Sequence, residues 1–109
     1  MIKCELDPAR LAISMTGHAN TAPKGQDIVC AAASILIQTY LFTLQRNSKK
    51  HTWYSLEDGL SVRPVESAPP GYMYYAAGAY RTIRDGLQLL AQNYPDNIQI
   101  TFNMPDDGG

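Results

Sequence analysis

The sequence predicts an α+β fold: one domain over residues 1–109, in the order ββαββαβ, with a mostly antiparallel sheet packed against two helices. Three patterns carry this expectation. Apolar and polar residues alternate in five short runs, the period of a half-buried strand. Two longer segments place apolar residues three and four apart, the period of a helix face. Turn-forming residues separate these runs, and helices laid on a largely antiparallel sheet make one layered domain.

The elements follow in order. Ile2, Cys4 and Leu6 alternate, and Asp7-Pro8 turns the chain. Leu11, Ile13 and Met15 alternate in a second strand, antiparallel to the first and ending at Gly17, with His18 next. Ala19 to Gln26 has no periodicity and contains Asn20, Pro23 and Gly25, so it reads as a loop. Asp27 fits a helix N-cap. After it Val29, Ala32, Ala33, Leu36, Ile37, Tyr40, Leu41 and Leu44 fall on one helical face, which ends near Arg46-Asn47-Ser48.

Thr52, Tyr54 and Leu56 alternate, Asp58-Gly59 makes a tight turn, and Leu60, Val62 and Arg63 return as a hairpin. Ser67 to Gly71, with Pro69-Pro70, reads as a connector. From Tyr72 the helical period resumes through Ala76, Ala79, Tyr80, Ile83, Leu87, Leu90, Ala91 and Tyr94, until Pro95 stops it. Gly78 and Gly86 weaken that helix intrinsically, which suggests close packing at both. Ile98, Ile100 and Phe102 alternate in a last strand, and Pro105 to Gly109 is a tail.

Composition narrows the function. Hydrophobic residues make up 45% of 109, enough for a real core. The net charge of -1 offers no basic excess to neutralise phosphates, so nucleic acid is not the expected partner. The one basic cluster, Arg46, Lys49 and Lys50, reads as a solvated loop. Ile28 to Leu44 is interrupted by Ser34, Gln38, Thr39 and Thr43 and reads as too short and too polar to span a bilayer. The N-terminus shows no signal-like apolar stretch, and two cysteines make no disulfide scaffold, so a reducing cytoplasm is expected. There is no C-x-x-C and no paired-histidine spacing, so no metal site is expected.

Two residues stand out for chemistry. A thiol attacks only as thiolate, and it needs a base or a positive environment to become one. With Asp27 as N-cap, Cys30 is the third helical residue, within reach of the free N–H groups and the positive end of the helix. His18 ends the preceding strand, one loop away, where a base could approach. Cys4 shares a strand face with Ile2 and Leu6 and reads as a core residue. His51 sits in a lysine-rich loop and reads as solvated. A small buried cysteine and a turn histidine would also account for Cys30 and His18, so spacing alone leaves the choice open.

A resemblance narrows it. Thr16-Gly17-His18-Ala19, the approach Gly25-Gln26-Asp27, and the run Asp27-Ile28-Val29-Cys30-Ala31-Ala32-Ala33-Ser34 resemble the signature of the ribosomal-processing cysteine protease family, Prp. Gly86-Leu87-Gln88-Leu89-Leu90-Ala91, then Tyr94-Pro95 and Ile98, resemble its second helix and last strand. The resemblance implies a thiol protease with His18 and Cys30 catalytic and no cofactor. It implies removal of the N-terminal extension of a bacterial large-subunit ribosomal protein, cut after paired phenylalanines, by a homodimer. Gly17, Asp27 and Ser34 would support the pair. Ala19, Asn20, Thr21, Ala22, Pro23, Lys24, Gly25 and Gln26 would form a substrate-binding loop that closes as a lid. Thr21, Ala22 and Pro23 depart from the family, and Tyr72, Tyr74 and Tyr75 crowd the second helix, which leaves the target open. A protease trimming a phage structural protein, or a non-catalytic assembly module of the same fold, are the other readings.

Overall fold

The computed structural model describes residues 1–17 and 26–103, with Gln26 and Asp27 described by backbone alone. The alternating runs become strands. β1 covers Ile2–Asp7, β2 Ala12–Thr16, β3 Thr52–Ser55, β4 Leu60–Pro64 and β5 Ile98–Phe102. The 3.6-residue runs become helices, α1 over Gln26–Ser48 and α2 over Pro70–Asn93, and a single 3-10 turn, Lys49–His51, follows α1. The order is the expected ββαββαβ.

The five strands form one sheet in the order β3-β4-β2-β1-β5. Three pairings are antiparallel, and β1 runs parallel to β5 with Ile2 opposite Ile98 and Leu6 opposite Phe102. Ile2, Cys4, Leu6, Ile13, Met15, Leu60, Val62 and Ile98 point to the face that both helices cover. Val29, Ala33, Ile37, Tyr40 and Leu44 of α1, and Tyr72, Ala76, Tyr80, Ile83 and Leu87 of α2, complete one core. Both helical stripes therefore do what their period predicts, except at Tyr94, which follows the end of α2 and is exposed.

Several details differ from the sequence expectation. Leu11 is not a strand residue: it takes a left-handed φ of 56° in the β1–β2 turn. The Asp7 carboxylate accepts from the Ala9 and Arg10 amides, and the Tyr40 hydroxyl donates to the Leu11 carbonyl at 2.6 Å. This turn is thus tied from both sides. Helix α2 begins at Pro70, inside the expected connector, because proline is preorganised for the first helical position. Gly86 meets the expectation of close packing, since a Cβ there would press on the Leu36 side chain of α1 at 3.0 Å. Gly78 does not, for a Cβ there would meet open space.

Helix α1 runs unbroken through Ser34, Gln38, Thr39 and Thr43. By length and composition Ile28–His51 is long and apolar enough to cross a membrane, contrary to the sequence reading. Its buried stripe is nevertheless committed to the sheet. What remains apolar lies on its outer face, where Ile28, Ile35 and Phe42 are 62%, 60% and 62% exposed.

Candidate active site

The end of β2 is held by two glycines whose backbone shape no other residue takes cheaply. Gly17 has φ +98°, and a Cβ on it would strike the carbonyl oxygen of Met1 at the start of β1. Gly59, in the β3–β4 turn, has φ +101°, and a Cβ there would strike the carbonyl oxygen of Met15. Positive φ is the region where glycine carries no steric penalty. Two neighbouring backbones thus close on the stretch from Met15 to Gly17. The position of His18 and of the loop over residues 19–25 lies outside the described residues, and so does the proposed lid.

Helix α1 begins at Gln26, so Asp27 is its second residue and not the expected N-cap. An acidic residue suits either a cap or a first turn, so residue type could not separate the two. Cys30 is then the fifth helical residue. The amides left free by the helix start belong to the turn before it, and the dipole acts more weakly at Cys30 than at a third position.

Cys30 is half-buried and packs against the core. Cys4 is the opposite case. It is fully buried among β1 residues, and burial pushes its thiol up to about 12. The sequence reading of Cys4 as a core residue holds, and Cys4 carries no thiolate at neutral pH.

His51 differs from expectation. It is half-buried, not merely solvated: Ser48 Oγ and its Nδ1 lie 2.8 Å apart, and its ring tilts against Tyr72 at 5.7 Å. The Tyr72 hydroxyl in turn bonds Thr52 Oγ1 at 2.8 Å. This cluster sits at the C-terminal end of α1. Cys30 and Ser48 are eighteen residues apart on one helix, about 27 Å. His51 is therefore out of reach of Cys30.

Ser34 lies one turn beyond Cys30 on the same side of α1. It is half-buried and donates to the Met15 sulfur at 3.9 Å. A thioether is a weak acceptor, so this hydroxyl is easily exchanged for a better partner. Ser34 and Gln38 form one wall of a cavity of about 300 Å³, and Met15, Leu56, Gly59 and Leu60 form the rest. A larger hollow of about 430 Å³ runs along Pro70, Met73, Tyr74, Ala77 and Arg81 in the first half of α2. That part of α2 packs beside the Tyr40 and His51 end of α1, far from Cys30.

Sequence reasoning missed Leu56, Gln38 and Gly59 as neighbours of the site. Leu56 was placed in a strand, but β3 ends at Ser55 and Leu56 is 69% exposed in the turn. An apolar residue beside Glu57, Asp58 and Gly59, a polar turn, was the available signal. Among the described residues, no cluster of three or more His, Cys, Asp or Glu side chains could hold a metal ion.

Comparison with known proteins gives the family and the fold. Residues 1–99 match the family model described as cysteine protease Prp. A ribosomal processing cysteine protease Prp from Mycoplasma genitalium is 31% identical over 84 residues, 77% of this chain and 80% of that one. The ribosomal processing protease Prp of Staphylococcus aureus, solved with a substrate peptide, superposes with a TM-score of 0.78 at 22% identity, over 94% of this chain and all of that one. The same protease carrying a covalently linked product peptide superposes at 0.73 with 21% identity and the same coverage.

Proposed function

The chain belongs to the Prp family of cysteine proteases, and we propose that Cys30 is its nucleophile and His18 its base. His18 takes the thiol proton, and the Cys30 sulfur attacks the peptide carbonyl. His18 then protonates the leaving amine, and water hydrolyses the thioester. Free amides in the first turn of α1 are candidates to stabilise the oxyanion.

The observation that carries this reading is an elimination. The sequence has two cysteines and two histidines. Cys4 is sealed in the core with its thiol pushed up, which leaves Cys30. His51 is bound at the wrong end of α1, which leaves His18. Gly17 supports the pair by fixing the backbone from which His18 departs. Asp27 supports it through the first turn of α1. Ser34 supports it as a hydrogen-bonding neighbour of Cys30. The loop 19–26 contacts the peptide and closes over it, excluding water.

The substrate proposed is the N-terminal extension of a bacterial large-subunit ribosomal protein, cut after paired phenylalanines. The name of the Mycoplasma relative and the peptide complexes of the Staphylococcus protease support a ribosomal and a peptide substrate respectively. The enzyme works in the cytoplasm without a cofactor. It acts as a homodimer. The outer face of α1 supports this: Ile28, Ile35 and Phe42 repeat every seven residues, so they form one line along the helix. No charged residue occurs from Ile28 to Gln45. Two copies crossing antiparallel at Ile35 would set Ile28 against Phe42.

Alkylation and cleavage test the assignment together. At pH 6, iodoacetamide should label Cys30 and spare Cys4, and His18→Ala should slow that labelling at least ten-fold. Cys30→Ala should abolish cleavage of a peptide containing paired phenylalanines. Wild-type cleavage rates in Cys30→Ala would refute the nucleophile, and an unreactive Cys30 would point to a non-catalytic module.

A further inference from the structure

Cys30, Ser34 and Gln38 succeed one another at four-residue steps, which makes them one ridge along the side of α1, each about 6 Å above the last. Two of the three line the 300 Å³ cavity, and Cys30 lies one helical turn before Ser34 on the same ridge. The opposite wall is the tip of the β3–β4 hairpin, with Leu56, Gly59 and Leu60. The floor is Met15, three residues before His18.

We propose that this cavity is a specificity subsite for one large uncharged side chain of the substrate, and that Leu56 is the residue that sets what it accepts. The inference rests on the reading of Cys30 as the nucleophile and adds to it a determinant of choice.

The lining argues for the occupant. Met15, Leu56 and Leu60 are apolar, and Ser34 and Gln38 are neutral hydrogen-bonding groups; among the described residues no charged side chain lines the cavity. A charged substrate residue would lose its water and find no counter-charge, which is costly. An apolar or aromatic one would lose nothing and would cover apolar surface. The volume lies at the small end of ligand pockets, room for a side chain and not for a folded segment.

Leu56 is the movable part of this wall by exposure, and the fixed part by backbone. Its side chain is 69% exposed and takes no part in the core, so its identity is not dictated by packing. Its hairpin is seated by Gly59 against the Met15 carbonyl and by the Ser55–Ser61 and Tyr54–Val62 pairs. A residue change at 56 therefore alters the wall and leaves the hairpin in place. A large apolar side chain left in water at a rigid rim, across the cavity from the ridge that carries Cys30, is what a bound peptide would cover.

The experiment is a peptide library varied one position at a time, cleaved by wild type, Leu56→Trp and Leu56→Asp, with melting temperatures measured on all three. Wild type should prefer large uncharged residues at one position near the cut. Leu56→Trp fills the cavity and should lower kcat/KM for those residues roughly ten- to hundred-fold relative to alanine at the same position, the range that hydrophobic pockets discriminate. Leu56→Asp should raise relative cleavage of peptides with Lys or Arg there by about ten-fold. A gain of that kind cannot come from loss of fold. If wild type cleaves and Cys30→Ala does not, but both Leu56 variants keep the wild-type profile, the subsite is wrong and the nucleophile stands. If wild type cleaves no peptide in the library, both fall.

Discussion

Replacing Gly17 by alanine tests how the fold aims its proposed base. A non-glycine residue at φ +98° costs about 1–3 kcal/mol in backbone strain. The new Cβ would also meet the Met1 carbonyl, with the Met1 carbonyl carbon at 3.3 Å and the Ile2 Cα at 3.4 Å. All three atoms are backbone, so no side chain can swing aside. The start of β1 must retreat, which loosens the Lys3–Thr16 pairing and the Ile2 amide bond to the Asn97 carbonyl at 2.9 Å. One weakened hydrogen bond adds about 1 kcal/mol, for a total of roughly 2–4 kcal/mol. A domain of this size has about 5–15 kcal/mol, so the variant still folds. At roughly 4 °C per kcal/mol, its melting temperature should fall by about 8–16 °C.

Gly59→Ala is the matched control. Its φ is +101°, and its Cβ would press on the Met15 carbonyl, with Thr16 Cα at 3.3 Å. The stability loss should be of the same size, roughly 2–4 kcal/mol. The two should part company in kinetics. Gly17 adjoins His18, and a displacement of about 1 Å in a catalytic group costs on the order of a hundred-fold. Gly17→Ala should therefore lose about that much in kcat, measured well below its melting point. Gly59→Ala, on the cavity wall, should act mainly on KM. Urea unfolding and steady-state cleavage on both proteins supply the data. An unchanged urea midpoint in Gly17→Ala would refute the close approach. A lowered midpoint with wild-type kcat would refute the claim that this grip positions His18.

Two further outcomes follow from burial. Ile35→Glu, on the exposed line of α1, should turn a dimer into a monomer by sedimentation with little change in melting; a wild type that sediments as a monomer at all concentrations would remove the homodimer. The Cys4 thiol is raised from an ordinary value near 9.0 to about 12 by burial, so the folded state holds its proton more tightly than the unfolded chain. That stability is fully present below pH 9 and is lost as pH climbs toward 12. Cys4→Val should flatten the decline between pH 9 and 10, before the raised hydroxyls of Tyr40, Tyr72 and Tyr80 begin to contribute. An identical slope in the variant would refute this.

Much of the fold was legible because burial imposes a period. Val29, Ala33, Ile37, Tyr40 and Leu44 could be read as one face since an α-helix returns every 3.6 residues, and Ile2, Cys4 and Leu6 as one face since a strand returns every two. The family signature around Gly17-His18 and Asp27 to Ser34 was legible too, and Gly17 now has a reason in its φ and its contact with Met1. Periodicity says which face is buried but not what lies opposite. Only the tertiary structure joined β1 to β5 in parallel, a pairing across some ninety residues that no local pattern encodes. Only it separated Gly86, whose Cβ would press against Leu36, from Gly78, whose Cβ would meet open space. Only it put His51 at the far end of α1 from Cys30 and sealed Cys4 in the core, since desolvation depends on what the rest of the chain stacks around a residue. The cavity beside Ser34 has the same origin. Met15, Ser34, Gln38 and Leu56 come from a strand, a helix and a turn, and their meeting is a fact of packing that sequence order does not contain.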